Sequence, residues 1–402
     1  MGPVLSENAL YRPLYSLLDQ LLPESLDWVA YFLTGFAIVF LLVNVLLIFA
    51  SVFVFMLRRL LGLFQTRLGP NRVGPFGILQ PFADLLKLLL KEDVRPREAD
   101  PLLFTIAPVL MVAPVFIILA VVPFGRNSFL ADLNVAVLFF IGVTTVSTLA
   151  VFLAGWGSGN RYALIGAVRA VAQLVSYEVP MVLSLVGVLL LAGTMSLVGV
   201  VEAQRIPFIL LQPLGFFVFL MAASAEMNWT PFDLLEAESE LTAGFHTEYS
   251  GTKFSLLQLG EFASVIVFSG IISTLFLRGW ENPFGPLSWP EILPTHIWFI
   301  GKIFAVLFLL IWVRATIVRL RIDQVMAFAW KVLFPLAIIN MFVTAGLVVA
   351  WPEPTTVQLW MMVAVNWVVA IVSVVGISFL MEKNRKVPST TVRLVKVTPE
   401  VH

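Results

Sequence analysis

Long apolar runs, separated by two alternating kinds of polar segment, dominate the chain. Phe36 to Leu57 and Leu102 to Val122 carry no charged residue. Each is long enough to cross ~30 Å of hydrocarbon as a helix. The pattern predicts about nine spans, near 29–57, 102–122, 133–155, 175–193, 208–225, 255–277, 297–315, 331–350 and 357–380. Charge-rich segments at 58–101, 156–174, 226–254, 316–330 and 381–402 alternate with short or charge-poor ones at 123–132, 194–207, 278–296 and 351–356. The second set holds only Arg126, Arg205 and Arg278 as cations. An odd number of spans puts every charge-rich segment on one side with the C-terminus. The excess of Lys and Arg then marks that side as cytoplasmic (or matrix) and leaves the N-terminus outside. The expected fold is an all-α polytopic membrane protein, one integral domain over 1–402.

Several polar segments carry structure of their own. In 58–101, Gly69-Pro70-Asn71 and Gly74-Pro75 predict a rigid bend. Gln80 to Lys91 then predicts an amphipathic helix, with Leu79, Phe82, Leu85, Leu86 and Leu89 opposite Asp84, Lys87 and Lys91. Too short and charged to span, it should lie in the interface plane, apolar side toward lipid or a cavity. The tail over 381–402 is basic, then polar, and should be surface-lying or flexible. Met1 to Leu26 carries Glu7, Asp19 and Glu24 and does not read as a cleavable signal peptide.

Composition narrows the chemistry. The chain is 59% hydrophobic and 12% charged, where soluble domains sit near a quarter charged. Its 25 basic and 25 acidic residues cancel. The absence of cysteine removes disulfides and thiolate-ligated zinc or iron–sulfur clusters. The three histidines, His246, His296 and His402, fall in loops on opposite sides or at the last residue, which argues against bis-His haem. No glycine-rich nucleotide motif occurs, and nothing points to nucleic acid. Any electron transfer would run through a partner.

The densest anomaly is Glu226 to Glu248, EMNWTPFDLLEAESELTAGFHTE, with Glu226, Asp233, Glu236, Glu238, Glu240 and Glu248 and no Lys or Arg. Crowded carboxylates repel, so some should resist ionisation or bind cations or a basic partner. A merely solvated acidic loop is the plain alternative. The interleaved Trp229, Phe232, Leu234, Leu235, Leu241 and Phe245 weigh against it. Glu178, Glu261 and Lys302 lie in or near spans, where ionisable groups are costly and are functional candidates. Lys302 has the alternative of snorkelling outward. Glu178, just before Pro180, has that of satisfying free N–H groups at a helix start. Arg58, Arg59, Arg67 and Arg72, and then Arg314, Arg319 and Arg321, follow spans in positions that lipid phosphate contact alone would explain. A charge-dense face and a trail of carboxylates entering the membrane suit proton handling or a docking platform.

These segments resemble the H subunit (mitochondrial subunit 1) of proton-translocating NADH:quinone oxidoreductase, respiratory complex I. The blocks are Arg67 to Asp93, Ala99 to Pro108, Gly159 to Pro180, Pro231 to Gly251 and Trp312 to Lys331, in order. The resemblance implies a subunit that forms the quinone chamber with soluble iron–sulfur subunits and couples quinone reduction to proton translocation. Arg58, Gln65, Arg67 and Asp84 would line or brace the chamber. Asp233, Glu236, Glu238 and Glu240 would be the coupling-loop carboxylates, and Glu178, Glu226 and Glu261 would begin the proton path. Quinone would be the substrate, with no redox centre in this chain; FMN, NADH and iron–sulfur clusters would belong to partner subunits. Antiporter-like membrane subunits and lipids are the other implied partners, in a bacterial plasma membrane rather than a mitochondrial one. Three positions depart from the family's usual residues: Leu57 stands for an acid, Trp229 for an Arg and Val318 for a Pro. The first two remove opposite charges; compensation, a different quinone and a shifted coupling are all open. The rival assignments are the anchor of a related ferredoxin-, coenzyme F420- or hydrogen-dependent complex, and a stand-alone transporter. The latter would favour inverted repeats and broken helices, of which the sequence gives no sign.

Overall fold

A computed structural model describes residues 8–21, 27–233, 244–282 and 294–384. The elements are α1 (Arg12–Leu21), α2 (Asp27–Phe64), α3 (Gln80–Leu90), α4 (Pro101–Leu119), α5 (Ala136–Gly157), α6 (Arg161–Ala192), α7 (Leu197–Ala203), α8 (Phe208–Leu211), α9 (Pro213–Glu226), α10 (Gly251–Phe276), α11 (Thr295–Thr316), α12 (Ile322–Phe328), α13 (Phe334–Ala350) and α14 (Thr356–Asn384). A five-residue π turn, Ala329–Leu333, joins α12 to α13. Among the described residues, eight helices are long and apolar enough to cross a membrane, and the chain is an all-α polytopic membrane protein.

The fifth of the nine expected spans, 208–225, is broken. Gln212 has φ −132° and ψ 64°, outside the helical region, and Pro213 then opens α9. Proline lacks the N–H that would continue the ladder. α9 has 14 residues, about 21 Å of helix and too short to cross alone. Together α8 and α9 still carry the chain from the charge-poor end to the charge-rich one. Gln212 donates to Thr344 Oγ1 at 3.0 Å across the break. The side chains of Gln212 and Asn340 press against Gly187 and Gly215, where a Cβ would stand 2.9–3.4 Å from their atoms. A broken helix is therefore present where none was expected.

Two expected loops are helical. Residues 161–174 form the first turns of α6, which starts at Arg161 after Asn160, whose side chain accepts from Tyr162 N. Residues 322–328 form α12. Arg161 and Arg169 in the first, and Asp323 in the second just after Arg319 and Arg321, raised the apparent polarity without interrupting the helix.

The segments sort to two ends as expected. At one end Asp100 N bonds Gly157 O, Val94 N bonds Ser250 Oγ, and Leu320 N bonds Pro231 O. At the other, Ala9 N bonds Asn127 O, Arg126 N bonds Thr295 Oγ1, and Arg278 N bonds Gln204 Oε1. α10 is the most enclosed spanning helix: 78% of its most apolar window is buried, against 22% for α2. It packs on α2, α3, α4 and α11, so whatever faces those helices meets across it.

The bend before α3 is as tight as its glycines suggest. Gly77 has φ 82°, and a Cβ there would stand 2.3 Å from Pro70 O. Gly77→Ala should destabilise this bend by about 1–3 kcal/mol, read as a lower Tm of the purified assembly. Gly142→Ala, with no atom within 4 Å, should be neutral or slightly stabilising.

Candidate functional site

Two cavities share α10 as a wall. The first opens between α2, α3 and α10 and encloses about 1070 Å³, counting solvent at its mouth. Ser51, Val54, Phe82, Leu85, Gln258 and Phe262 are among its lining residues. Its polar feature is an ion pair between Arg58 and Asp84, with Gln80 Nε2 donating to the other Asp84 oxygen at 3.1 Å. Partial burial alone would raise the Asp84 carboxyl. Hydrogen bonds from Arg58 and Gln80, with the charges of Arg58 and Lys87, outweigh it and hold the carboxyl below its ordinary range. Leu85 and Leu88 of α3 turn to this cavity, while Leu86 and Leu90 stay exposed. Gln65 and Arg67 bond each other at 2.8 Å, exposed at the end of α2 and not among the lining residues. Two of the four expected chamber residues thus meet at the cavity, and two stand beyond its rim.

The second cavity, about 440 Å³, lies between α4, α5, α9 and α10. Glu226 and Glu261 line it with Asn228, Thr144, Ser147 and Ser264. Glu226 Oε2 and Asn228 Oδ1 are buried without a hydrogen-bond partner. Met111, Val115, Ile118 and Phe268 make the rest of its wall apolar, and the polar side, with such atoms, suits ordered water. Glu178 is outside the lining but within electrostatic reach of Glu226; it accepts from Thr145 Oγ1 at 2.6 Å. It does not cap a helix start, because α6 begins at Arg161 and Glu178 sits in its middle. Lys302 does not snorkel. It is buried, and its ammonium donates to Gly279 O at 2.7 Å and Glu281 O at 2.5 Å, just past the end of α10.

The acidic segment is described at its two ends only. Asp233 lies 3.9 Å from the Arg314 guanidinium, and Glu248 accepts from Asn160 at 2.7 Å. Glu236, Glu238 and Glu240 lie outside the described residues. Trp229 is buried, donates to Leu310 O at 3.1 Å, and carries Arg314 over its ring at 4.4 Å. Phe53, one turn before the buried Leu57, packs on the same indole at 5.8 Å. The two departures in charge therefore fall in one apolar neighbourhood.

The sequence profile of the NADH dehydrogenase family matches residues 36–345, which include the lining residues of both cavities. The chain is 52% identical to the H subunit of NADH-quinone oxidoreductase from Dehalococcoides mccartyi over 320 residues, 80% of this chain and 87% of the relative. The corresponding protein of Brevibacillus brevis is 49% identical over 309 residues, 77% and 91% of the two chains. That of Bacillus mycoides is 45% identical over 331 residues, 82% and 98%. The chain belongs to the family of NADH-quinone oxidoreductase H subunits. It is a multi-pass membrane component of an oxidoreductase complex, whose other subunits are its partners.

One contact in this family member escaped the sequence. His246, considered there only as a haem ligand, is buried beside Phe245, and its Nε2 lies 3.3 Å from Glu261 Oε1. Its Nδ1 is buried without a partner. The only hint was that a carboxylate in mid-span needs a polar neighbour; spacing gave none.

The lowered Asp84 value means that the Arg58 pair contributes at neutral pH and fades only as acid takes the pH through that lowered value. Arg58→Gln should move the Asp84 protonation midpoint upward, as isotope-edited infrared titration of the carboxyl would read. As a half-exposed pair it should cost the fold no more than about 1 kcal/mol.

Proposed function

We propose that this chain builds the quinone-binding chamber of a proton-translocating NADH:quinone oxidoreductase with soluble iron–sulfur subunits, and that it couples quinone reduction to proton movement. The geometry of α10 carries this reading. Gln258, Leu259 and Phe262 face the Arg58–Asp84 cavity, while Gly260, Glu261 and Ser264 face the carboxylate cavity. Consecutive residues of one helix serve both. A unit charge ~10 Å away, about one helix diameter, acts on a carboxylate with roughly 1–2 kcal/mol at an effective dielectric constant of ~20. That is about one pKa unit, enough to move a proton.

In this scheme quinone is the substrate, and its ring approaches Arg58, Gln80 and Asp84 through the opening beside α3. Gln65 and Arg67 brace the rim from outside. FMN, NADH and the iron–sulfur clusters belong to partner subunits, and this chain carries no redox centre. Asp233, Glu236, Glu238 and Glu240 form the coupling loop that senses the chamber. Protons then pass along Glu261, Glu226 and Glu178 toward antiporter-like membrane subunits. Residues 1–402 act as one membrane domain in a bacterial plasma membrane, the charge-rich end cytoplasmic.

The test is a mild-detergent purification of the tagged chain, assayed for NADH-driven, inhibitor-sensitive quinone reduction and co-purifying iron–sulfur subunits. Glu238→Gln and Asp233→Asn should each lower turnover by about tenfold or more in a complex that still assembles. Unchanged turnover removes the coupling role of the loop. A complex that assembles but ignores NADH points to another electron donor.

A further inference from the structure

A third hollow lies on the same helices but toward the opposite end. It is bounded by α2, α4, α10 and α11, encloses about 580 Å³, and has almost wholly apolar walls, including Leu46, Phe49, Val122, Phe299 and Ile303. Gly270 keeps it open: a Cβ there would be only 3.5 Å from Val122 and 3.7 Å from Phe299, ordinary contact distances. Such walls offer water no hydrogen bonds, and leaving the space empty would forfeit dispersion contacts on every side. Val45, on the rim, is 41% exposed in the middle of a membrane-spanning helix. What enters there is hydrocarbon.

The polar edge says which hydrocarbon. Phe299 and Ile303 lie four and eight residues past Thr295, about 6 and 12 Å below the start of α11. That is the depth of one leaflet. Phe124, also on the wall, sits two residues before Arg126. The loop between them is clamped over α11: Gly125 against the His296 ring, Arg126 N to Thr295 Oγ1 at 3.4 Å, His296 Nε2 to Ser128 Oγ at 3.0 Å, and Phe124 edge-on to Phe299 at 6.2 Å. Arg126 itself is exposed. An exposed arginine thus sits in the loop that closes over the polar end of an apolar slot of leaflet depth, and guanidinium is a strong partner for phosphate.

We infer that this hollow binds one acyl chain of an anionic phospholipid from the leaflet at the charge-poor end, with its phosphate paired to Arg126. The site is separate from the Arg58–Asp84 cavity. On α2 it is lined by Leu42, Val45, Leu46 and Phe49, whereas Asn44, Leu47, Ile48 and Ser51 line the Arg58–Asp84 cavity on another face of the helix. A neutral quinone ring offers Arg126 carbonyl acceptors but no negative charge, and a phosphate offers both.

The experiment reconstitutes the purified complex in phosphatidylcholine vesicles containing phosphatidylglycerol with a photoactivatable acyl chain, and maps adducts by mass spectrometry. Adducts should fall on residues 42–49, 266–270 and 299–303. Gly270→Leu fills the slot from the core side and should abolish most of this labelling. Val45→Trp fills it from the lipid side, leaves the core packing alone, and should do the same. Arg126→Gln should erase the preference for phosphatidylglycerol over a phosphatidylcholine probe. Labelling that survives both filling variants in assembled complex overturns the site. Labelling displaced by a long-tailed quinone also overturns it, and assigns the slot to the isoprenoid chain.

Discussion

Hydrocarbon accepts no hydrogen bonds, so each polar group carried into the membrane must find its partner inside the protein. The core of this chain is arranged around that requirement. Ser269, Ser273 and Thr274 bond carbonyls one turn back on α10. Where a helix ends inside the bundle, a side chain from another helix takes over. Gln173 of α6 donates to Ala225 O and Phe232 O past the end of α9, Gln204 donates to Thr274 O, and Tyr177 donates to Val325 O. Lys302 does the same for the carbonyls after α10. Buried atoms without a partner occur also at the helix break, as Gln212 Oε1 and Asn340 Nδ2, but three others stand together: Glu226 Oε2, Asn228 Oδ1 and His246 Nδ1. They cluster in and beside the carboxylate cavity, where a group that changes its protonation or its partner has room to do so.

α10 makes those places matter. It is the most enclosed spanning helix, and it separates an amphipathic, partly open cavity from a smaller one that holds two carboxylates. Enclosure keeps the dielectric low between the two, and adjacency in sequence keeps the distance short. Both raise the effect that a charge on one side has on the other. The Trp229 neighbourhood bears on the same seam. Arg314 lies over the indole and faces Asp233, so the start of the acidic segment is tethered to α11 beside the apolar packing of Phe53 and Trp229.

Much of this was legible in the sequence because hydropathy reports burial in lipid directly. Eight spans, the two loop classes and the interfacial helix α3 follow from run length, cation placement and apolar spacing. The five blocks identified the family, which the profile match and the relatives bear out. What failed, failed for local reasons. The Gln212-Pro213 break lies inside an apolar run, where hydropathy cannot see it. Arg161 and Arg169 made the first turns of α6 look like a loop, and that misplaced Glu178 at a helix start. The His246–Glu261 contact joins a short 3₁₀ turn to mid-helix across the α10 start, and no periodicity encodes it. The roles of Glu236, Glu238 and Glu240 rest on the sequence alone, since they lie outside the described residues.

The most direct measurement of the central claim is the number of protons translocated per electron by reconstituted complex carrying Glu261→Gln. Glu261 faces the carboxylate cavity while its neighbour Phe262 faces the other. If α10 transmits the charge change, quinone reduction in uncoupled vesicles continues near the wild-type rate while the proton-to-electron ratio falls. An unchanged ratio at unchanged turnover would contradict the account, because the carboxylate nearest the shared wall would then carry no part of the coupling.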